Sequence, residues 1–134
     1  MGNGVHVGVD LVDIVRFKRW QEKGIARLQR VISYEELRYC FAEPSKTAER
    51  LAVRYALREA AYKAFAPLGK HEVIPLLAVF KAITTRVSGR GIEMIVVWDT
   101  LAQWYDYEKI CAISVSVSHT ASMAMATVIV CIRD

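Results

Sequence analysis

A chain of 134 residues and 15.1 kDa suits one domain, long enough to bury roughly two-thirds of its unfolded surface but too short for two independent cores. With 54% hydrophobic and 24% charged residues, 3 prolines and 7 glycines, it is not a disordered, collagenous or low-complexity chain. The net charge of +4 is local: Arg16, Lys18, Arg19, Lys23, Arg27 and Arg30 stand against one acid, Glu22, so residues 16–30 carry +5 and the remainder sums to −1.

In chain order, Val5, Val7, Val9 and Leu11 alternate with His6, Gly8 and Asp10, a period-two strand that puts Asp10 on the face opposite the valines. From Asp13 the period becomes helical, with Ile14, Phe17, Ile25, Leu28 and Val31 in one sector provided the helix runs through Gly24. Ser33 and Glu36 form a capping box that opens a short helix to about Phe41. Pro44-Ser45 is a break, and Thr47 is expected to cap a long helix over residues 48–65, stopped by Pro67 and Gly69. Strands are expected over 79–87, 92–98, 113–118 and 123–132, the last two forming a hairpin around residues 119–122. Helices early and antiparallel strands late make this an α+β chain with a single domain over 1–134.

Cys40, Cys111 and Cys131 are far apart and form no C-x-x-C pair, which points to a reducing, cytoplasmic setting. No apolar run approaches the ~20 residues of a membrane span, and no leader pattern opens the chain, so a soluble protein without a membrane association is expected.

On the long helix, Arg50, Arg54 and Arg58 stack at i, i+4 and i+8, while Glu59 and Lys63 lie nearly opposite. A surface arginine stripe plus a Glu–Lys pair is the plain account. The small residues Ala52 and Ala56 nearby suggest instead that space is left for a ligand. A carboxylate, an ammonium and a second acid such as Asp10 would suit a phosphorylated substrate, since Mg²⁺ takes one or two carboxylates plus phosphate oxygens and Lys adds a point charge. His119, without further context, reads as a solvated turn residue. A Ser118/His119/Asp10 hydrolase triad is rejected because no G-x-S-x-G elbow exists. The aromatic residues do not interleave with basic ones as a single-strand nucleic-acid platform requires.

Three blocks, in order, resemble the phosphopantetheinyl transferases, and within them the short holo-acyl-carrier-protein synthases: Gly8-Val9-Asp10-Leu11-Val12 with Arg16 shortly after; the run from Glu49 through Arg54, Arg58, Glu59 and Lys63 to Ala64; and Val115-Ser116-Val117-Ser118-His119-Thr120. The resemblance implies Mg²⁺-dependent transfer of 4′-phosphopantetheine from coenzyme A to a serine of apo acyl carrier protein, releasing adenosine 3′,5′-bisphosphate, in fatty acid biosynthesis. It implies Asp10 and Glu59 as metal ligands, Glu59 and Lys63 as the catalytic pair, and Arg54, Lys63, His119 and Thr120 as coenzyme A contacts. For the serine proton, Glu59 and Glu36 both stand as acceptors. Val12, where larger members carry an acid, places the chain with the short class, whose small fold packs an antiparallel sheet on a long helix and forms a homotrimer with sites between neighbours. The helix that opens at Arg16 would dock the carrier's acidic helix through a stripe of Arg16, Arg19, Lys23, Arg27 and Arg30. The chain departs from the family at Val53, at Arg58, and after Lys63, where Ala64-Phe65-Ala66-Pro67-Leu68-Gly69 replaces a glycine-rich turn. A degenerate member that acts as a basic binding module for an acidic partner is the alternative.

Overall fold

The computed structural model describes residues 3–133. Strand β1 (Gly4–Asp13) leads through a 3-10 turn to α1 (Phe17–Lys23), α2 (Ile25–Leu28) and α3 (Tyr34–Phe41), then to the long helix α4 (Thr47–Phe65). Helix α5 (Leu76–Ala82), strands β2 (Ile83–Ser88) and β3 (Gly91–Val96), and the pair β4 (Ile110–His119) and β5 (Met123–Ile132) complete it. The α+β class holds: β1-β5-β4 form one antiparallel sheet, β2-β3 a second, and α4 lies across the first.

Helix α4 is rich in Ala, Leu, Arg, Glu and Lys, which hold their helical rotamers at little entropic cost, with Glu49 in its first turn and Lys63 in its last to complement the helix dipole. Ala52, Ala56, Ala60, Ala61 and Ala64 are fully buried. They leave no space for a ligand, contrary to expectation; their small side chains let the sheet approach the helix axis. Gly8 completes that approach. A Cβ there would stand 1.8 Å from the Ala60 carbonyl oxygen and 2.8 Å from the Ala64 nitrogen, contacts no side chain tolerates. Gly8, Asp10 and Val12 therefore face α4, whereas Val5, Val7, Val9 and Leu11 face outward and are 46–63% exposed.

Three expectations fail. The helix from Asp13 does not pass Gly24, which sits at φ 80°, ψ 168° and separates α1 from α2. Residues 79–82 of the strand expected over 79–87 belong instead to helix α5, which starts at Leu76 after Pro75; the apolar run there has no period that tells helix from strand. Thr47 does not cap α4 but is its first residue, its hydroxyl donating to the Glu43 carbonyl at 3.2 Å. The capping box of Ser33 and Glu36 forms as expected, and β5 has its predicted bounds.

Candidate active site

The close seat of β1 on α4 brings Asp10 to Lys63. Lys63 Nζ donates to Asp10 Oδ1 at 3.1 Å and to the Val9 carbonyl at 2.9 Å, with Lys63 half exposed and Asp10 largely covered. The second carboxylate oxygen, Asp10 Oδ2, is buried and has no hydrogen-bond partner. Such an oxygen is costly to leave unsatisfied and marks a place for a cation or donor. Glu59, one turn before Lys63 on the same helix, is held by Tyr55, whose hydroxyl donates to Glu59 Oε1 at 2.8 Å. Burial pushes the Tyr55 hydroxyl above its ordinary value, opposed by the Arg16 hydrogen bond and reinforced by Glu59, so it remains a donor. Among the described residues no three His, Cys, Asp or Glu side chains cluster as a complete metal cage. Two carboxylates, one with a buried and unpartnered oxygen, are the protein share of the donor set a hard cation such as Mg²⁺ takes, so these residues fit the expected ion.

On the other edge of the same sheet, His119 ends β4 with Nδ1 3.2 Å from Glu49 Oε1. It lines a cleft of about 350 Å³ with Lys46, Arg50 and Arg54 of the α4 region, Tyr39 of α3 and Ile92 of β3. Arg50 and Arg54 place their guanidinium carbons 4.1 and 4.8 Å from the Tyr39 ring centroid. Arg54 is 4% exposed, and its Nε is buried without a partner. An anion entering this cleft would meet three basic side chains from the α4 region and a histidine. Thr120 instead uses its hydroxyl to accept from the backbone N–H groups of Ser122 and Met123 at 3.2 and 3.1 Å, fixing the hairpin that presents His119.

The arginine stripe of α4 is not a surface feature. Arg58 is fully buried, its guanidinium donating to both oxygens of Glu36 and to the carbonyls of Arg54, Phe80 and Ile83. Glu36 also accepts from the hydroxyls of Thr85 at 2.6 Å and Ser33 at 2.9 Å. Burial alone would raise the Glu36 carboxyl, yet the Arg58 guanidinium and the two hydroxyls together hold it below the ordinary carboxylate range. Sealed and satisfied, Glu36 cannot accept the serine proton.

The basic segment is likewise rearranged. With the helix broken at Gly24, the five residues do not form one stripe. Lys23, Arg27 and Arg30 instead converge from both sides of the break on a cleft of about 420 Å³ with an apolar floor of Trp20, Leu28 and Val31. Arg19 is exposed on α1. Arg16 remains exposed but reaches across to α4, its Nη2 donating to the Tyr55 hydroxyl at 3.2 Å. That link to Glu59 is invisible in the sequence, although Tyr55 and Glu59 at i, i+4 could have suggested its second half.

The chain is similar to known proteins over nearly its whole length. The holo-[acyl-carrier-protein] synthase of Ruminiclostridium cellulolyticum is 28% identical over 134 aligned positions, covering 96% of this chain and 92% of that one. Among solved structures, the apo form of the Chronobacterium ammoniagenes acyl-carrier-protein synthase superposes with a TM-score of 0.78 at 28% identity, and its coenzyme A complex with 0.76 at 27% identity, each covering 98% of this chain and 99% of the other. The profile of the 4′-phosphopantetheinyl transferase superfamily matches residues 6–110. The chain therefore belongs to the 4′-phosphopantetheinyl transferase superfamily, in its short, holo-acyl-carrier-protein-synthase type.

Proposed function

We propose that this protein is a holo-[acyl-carrier-protein] synthase that moves 4′-phosphopantetheine from coenzyme A to a serine of apo acyl carrier protein. The observation that carries the reading is the buried, unpartnered Asp10 Oδ2 beside Lys63, one strand residue deep against a helix that also bears Glu59. We assign Asp10 and Glu59 as Mg²⁺ ligands and Lys63 as the group that leaves its Asp10 contact for a pyrophosphate oxygen. Bound there, the cation would neutralise non-bridging oxygens of the pyrophosphate. In the transfer, the serine hydroxyl gives up its proton through water to Glu59, its oxygen forms a bond to the phosphorus that carries the pantetheine, and the bond from that phosphorus to the bridging oxygen breaks. Adenosine 3′,5′-bisphosphate leaves with that oxygen. Lys63 sits where charge accumulates on the phosphoryl oxygens, and the rigid β1–α4 contact fixes the approach in line.

The nucleotide end of coenzyme A is assigned to Arg54 and His119, with Thr120 shaping the hairpin that carries His119. Asp10 and His119 lie on the same sheet face but on opposite edge strands, about 10 Å apart across β5, with α4 between them. Arg54 and Lys63 point to opposite sides of α4, about 14 Å apart along its axis. One coenzyme A spans both clusters most simply when they come from neighbouring copies. The outward face of Val5, Val7, Val9, Leu11 and Met125 is the apolar surface we assign to that assembly, and a homotrimer is the form we propose for it. The cleft between Lys23, Arg27 and Arg30 is assigned, with Arg16 and Arg19, to the acidic carrier. Among the described residues no helix is long and apolar enough to cross a membrane, and the three cysteines are free, in keeping with a cytoplasmic enzyme.

Mass spectrometry of an apo acyl carrier protein incubated with the protein, coenzyme A and Mg²⁺ tests this directly. A gain of one phosphopantetheine, abolished by chelator and by Asp10→Ala or Glu59→Ala with unchanged folding, is expected. No gain on several apo carriers that a known transferase modifies would overturn it.

A further inference from the structure

Glu59 is oriented by a chain of groups that the reaction does not itself call for. Arg16 Nη2 donates to the Tyr55 oxygen at 3.2 Å, and the Tyr55 O–H donates to Glu59 Oε1 at 2.8 Å. The tyrosine ring cannot drift. Phe17, Trp20 and Phe80 surround it with ring centroids at 5.3, 5.4 and 5.6 Å, and the Arg16 guanidinium lies over it at 4.7 Å. A phenol that receives one charged hydrogen bond becomes a stronger donor in the next, because each bond polarises its neighbour. Glu59 has several side-chain rotamers open to it on a half-buried helix face, and a fixed donor on Oε1 selects among them.

Resting on the assignment of Glu59 as a metal ligand, we propose that Tyr55 is a positioning residue: it pins Oε1 so that Oε2 is presented to the cation, and Arg16 in turn pins the Tyr55 hydroxyl. The first arginine of the docking segment is thereby tied to a carboxylate of the catalytic centre through one side chain.

The test is Mn²⁺ binding to the protein alone, read from the electron paramagnetic resonance signal of the free ion, for the wild type, Asp10→Asn, Tyr55→Phe, Glu59→Gln and the Tyr55→Phe/Glu59→Gln double variant. Tyr55→Phe removes only a hydroxyl from an aromatic cluster, and circular dichroism will show it folded. Loss of one charge-assisted hydrogen bond at a half-buried site should raise the Mn²⁺ dissociation constant about three- to tenfold. In the Glu59→Gln background the same change should add nothing, which a merely structural effect would not reproduce. Arg16→Met should weaken Mn²⁺ less than Tyr55→Phe does, and not at all once Tyr55 is Phe. Wild-type affinity in Tyr55→Phe, or a penalty that persists without Glu59, overturns the proposal while leaving the metal site standing. If instead the wild type binds no Mn²⁺, or Asp10→Asn binds it equally well, the metal site itself is wrong and the proposal falls with it.

Discussion

Two of the acid–base pairs that attach α4 to the rest of the protein are built in opposite ways. Arg58–Glu36 is closed: both side chains are buried, and guanidinium, carboxylate, two hydroxyls and three carbonyls satisfy one another. Lys63–Asp10 is open: the ammonium is half exposed and one carboxylate oxygen is buried without a partner. Each place pairs a basic side chain with a carboxylate; saturation is what differs. A pair whose donors and acceptors are all used can hold four elements together, here α3, α4, α5 and β2, but has nothing left for a ligand. A pair with an orphan oxygen and a half-exposed lysine is less useful as a brace and better suited to phosphate chemistry.

The comparison predicts that the closed pair carries the larger stability effect. Glu36→Gln or Arg58→Met leaves a buried group without its counter-charge and should cost about 3–5 kcal/mol, measured by urea unfolding, whereas Asp10→Asn should cost far less. Replacing Glu36 and Arg58 together with Met should recover part of that loss. Recovery of none, or an equal penalty at Asp10, would erase the distinction between the two pairs.

Acid supplies a gentler probe of the same difference. Because the Glu36 carboxyl is held below its ordinary range when folded, the folded state binds its proton less readily than the unfolded chain does. Its contribution to stability is complete above the ordinary carboxylate range and is lost as pH falls through the lower, folded value. Unfolding free energy against pH should therefore decline on that acidic side in the wild type and more shallowly in Glu36→Gln. Parallel curves would mean that Glu36 is not the anchoring acid.

How much of this could be read beforehand follows from the range of each signal. Gly8-x-Asp10, the Ser33–Glu36 capping box and the β5 strand depend on local spacing and were legible. The fate of Arg58 was not, because its partners come from α3, α5 and β2, 22 to 49 residues from one another in the bonds they make with it and with Glu36. Alternation in β1 showed two faces but not which one the core would take. Gly8 decides that, by admitting α4 on the side where the valines are not. The apolar side is left outward, the face we assign to contact with a second copy.

The basic segment tests the open arrangement at its rim. Because Gly24 breaks the helix, Lys23, Arg27 and Arg30 surround an apolar floor rather than line a ridge, so the partner suited to them is an acidic helix with an apolar residue at its centre. Arg27→Glu puts a like charge at that rim. Exposed charges act mainly on encounter, so the expected result is a higher KM for the carrier, on the order of tenfold at low salt, with a reduced salt dependence and unchanged coenzyme A affinity. Steady-state rates at two ionic strengths, with coenzyme A binding measured separately, distinguish this from a defect at the catalytic pair. Were coenzyme A affinity to collapse while carrier affinity held, the cleft between α1 and α2 would belong to the nucleotide. The two ends of the site would then have to be exchanged.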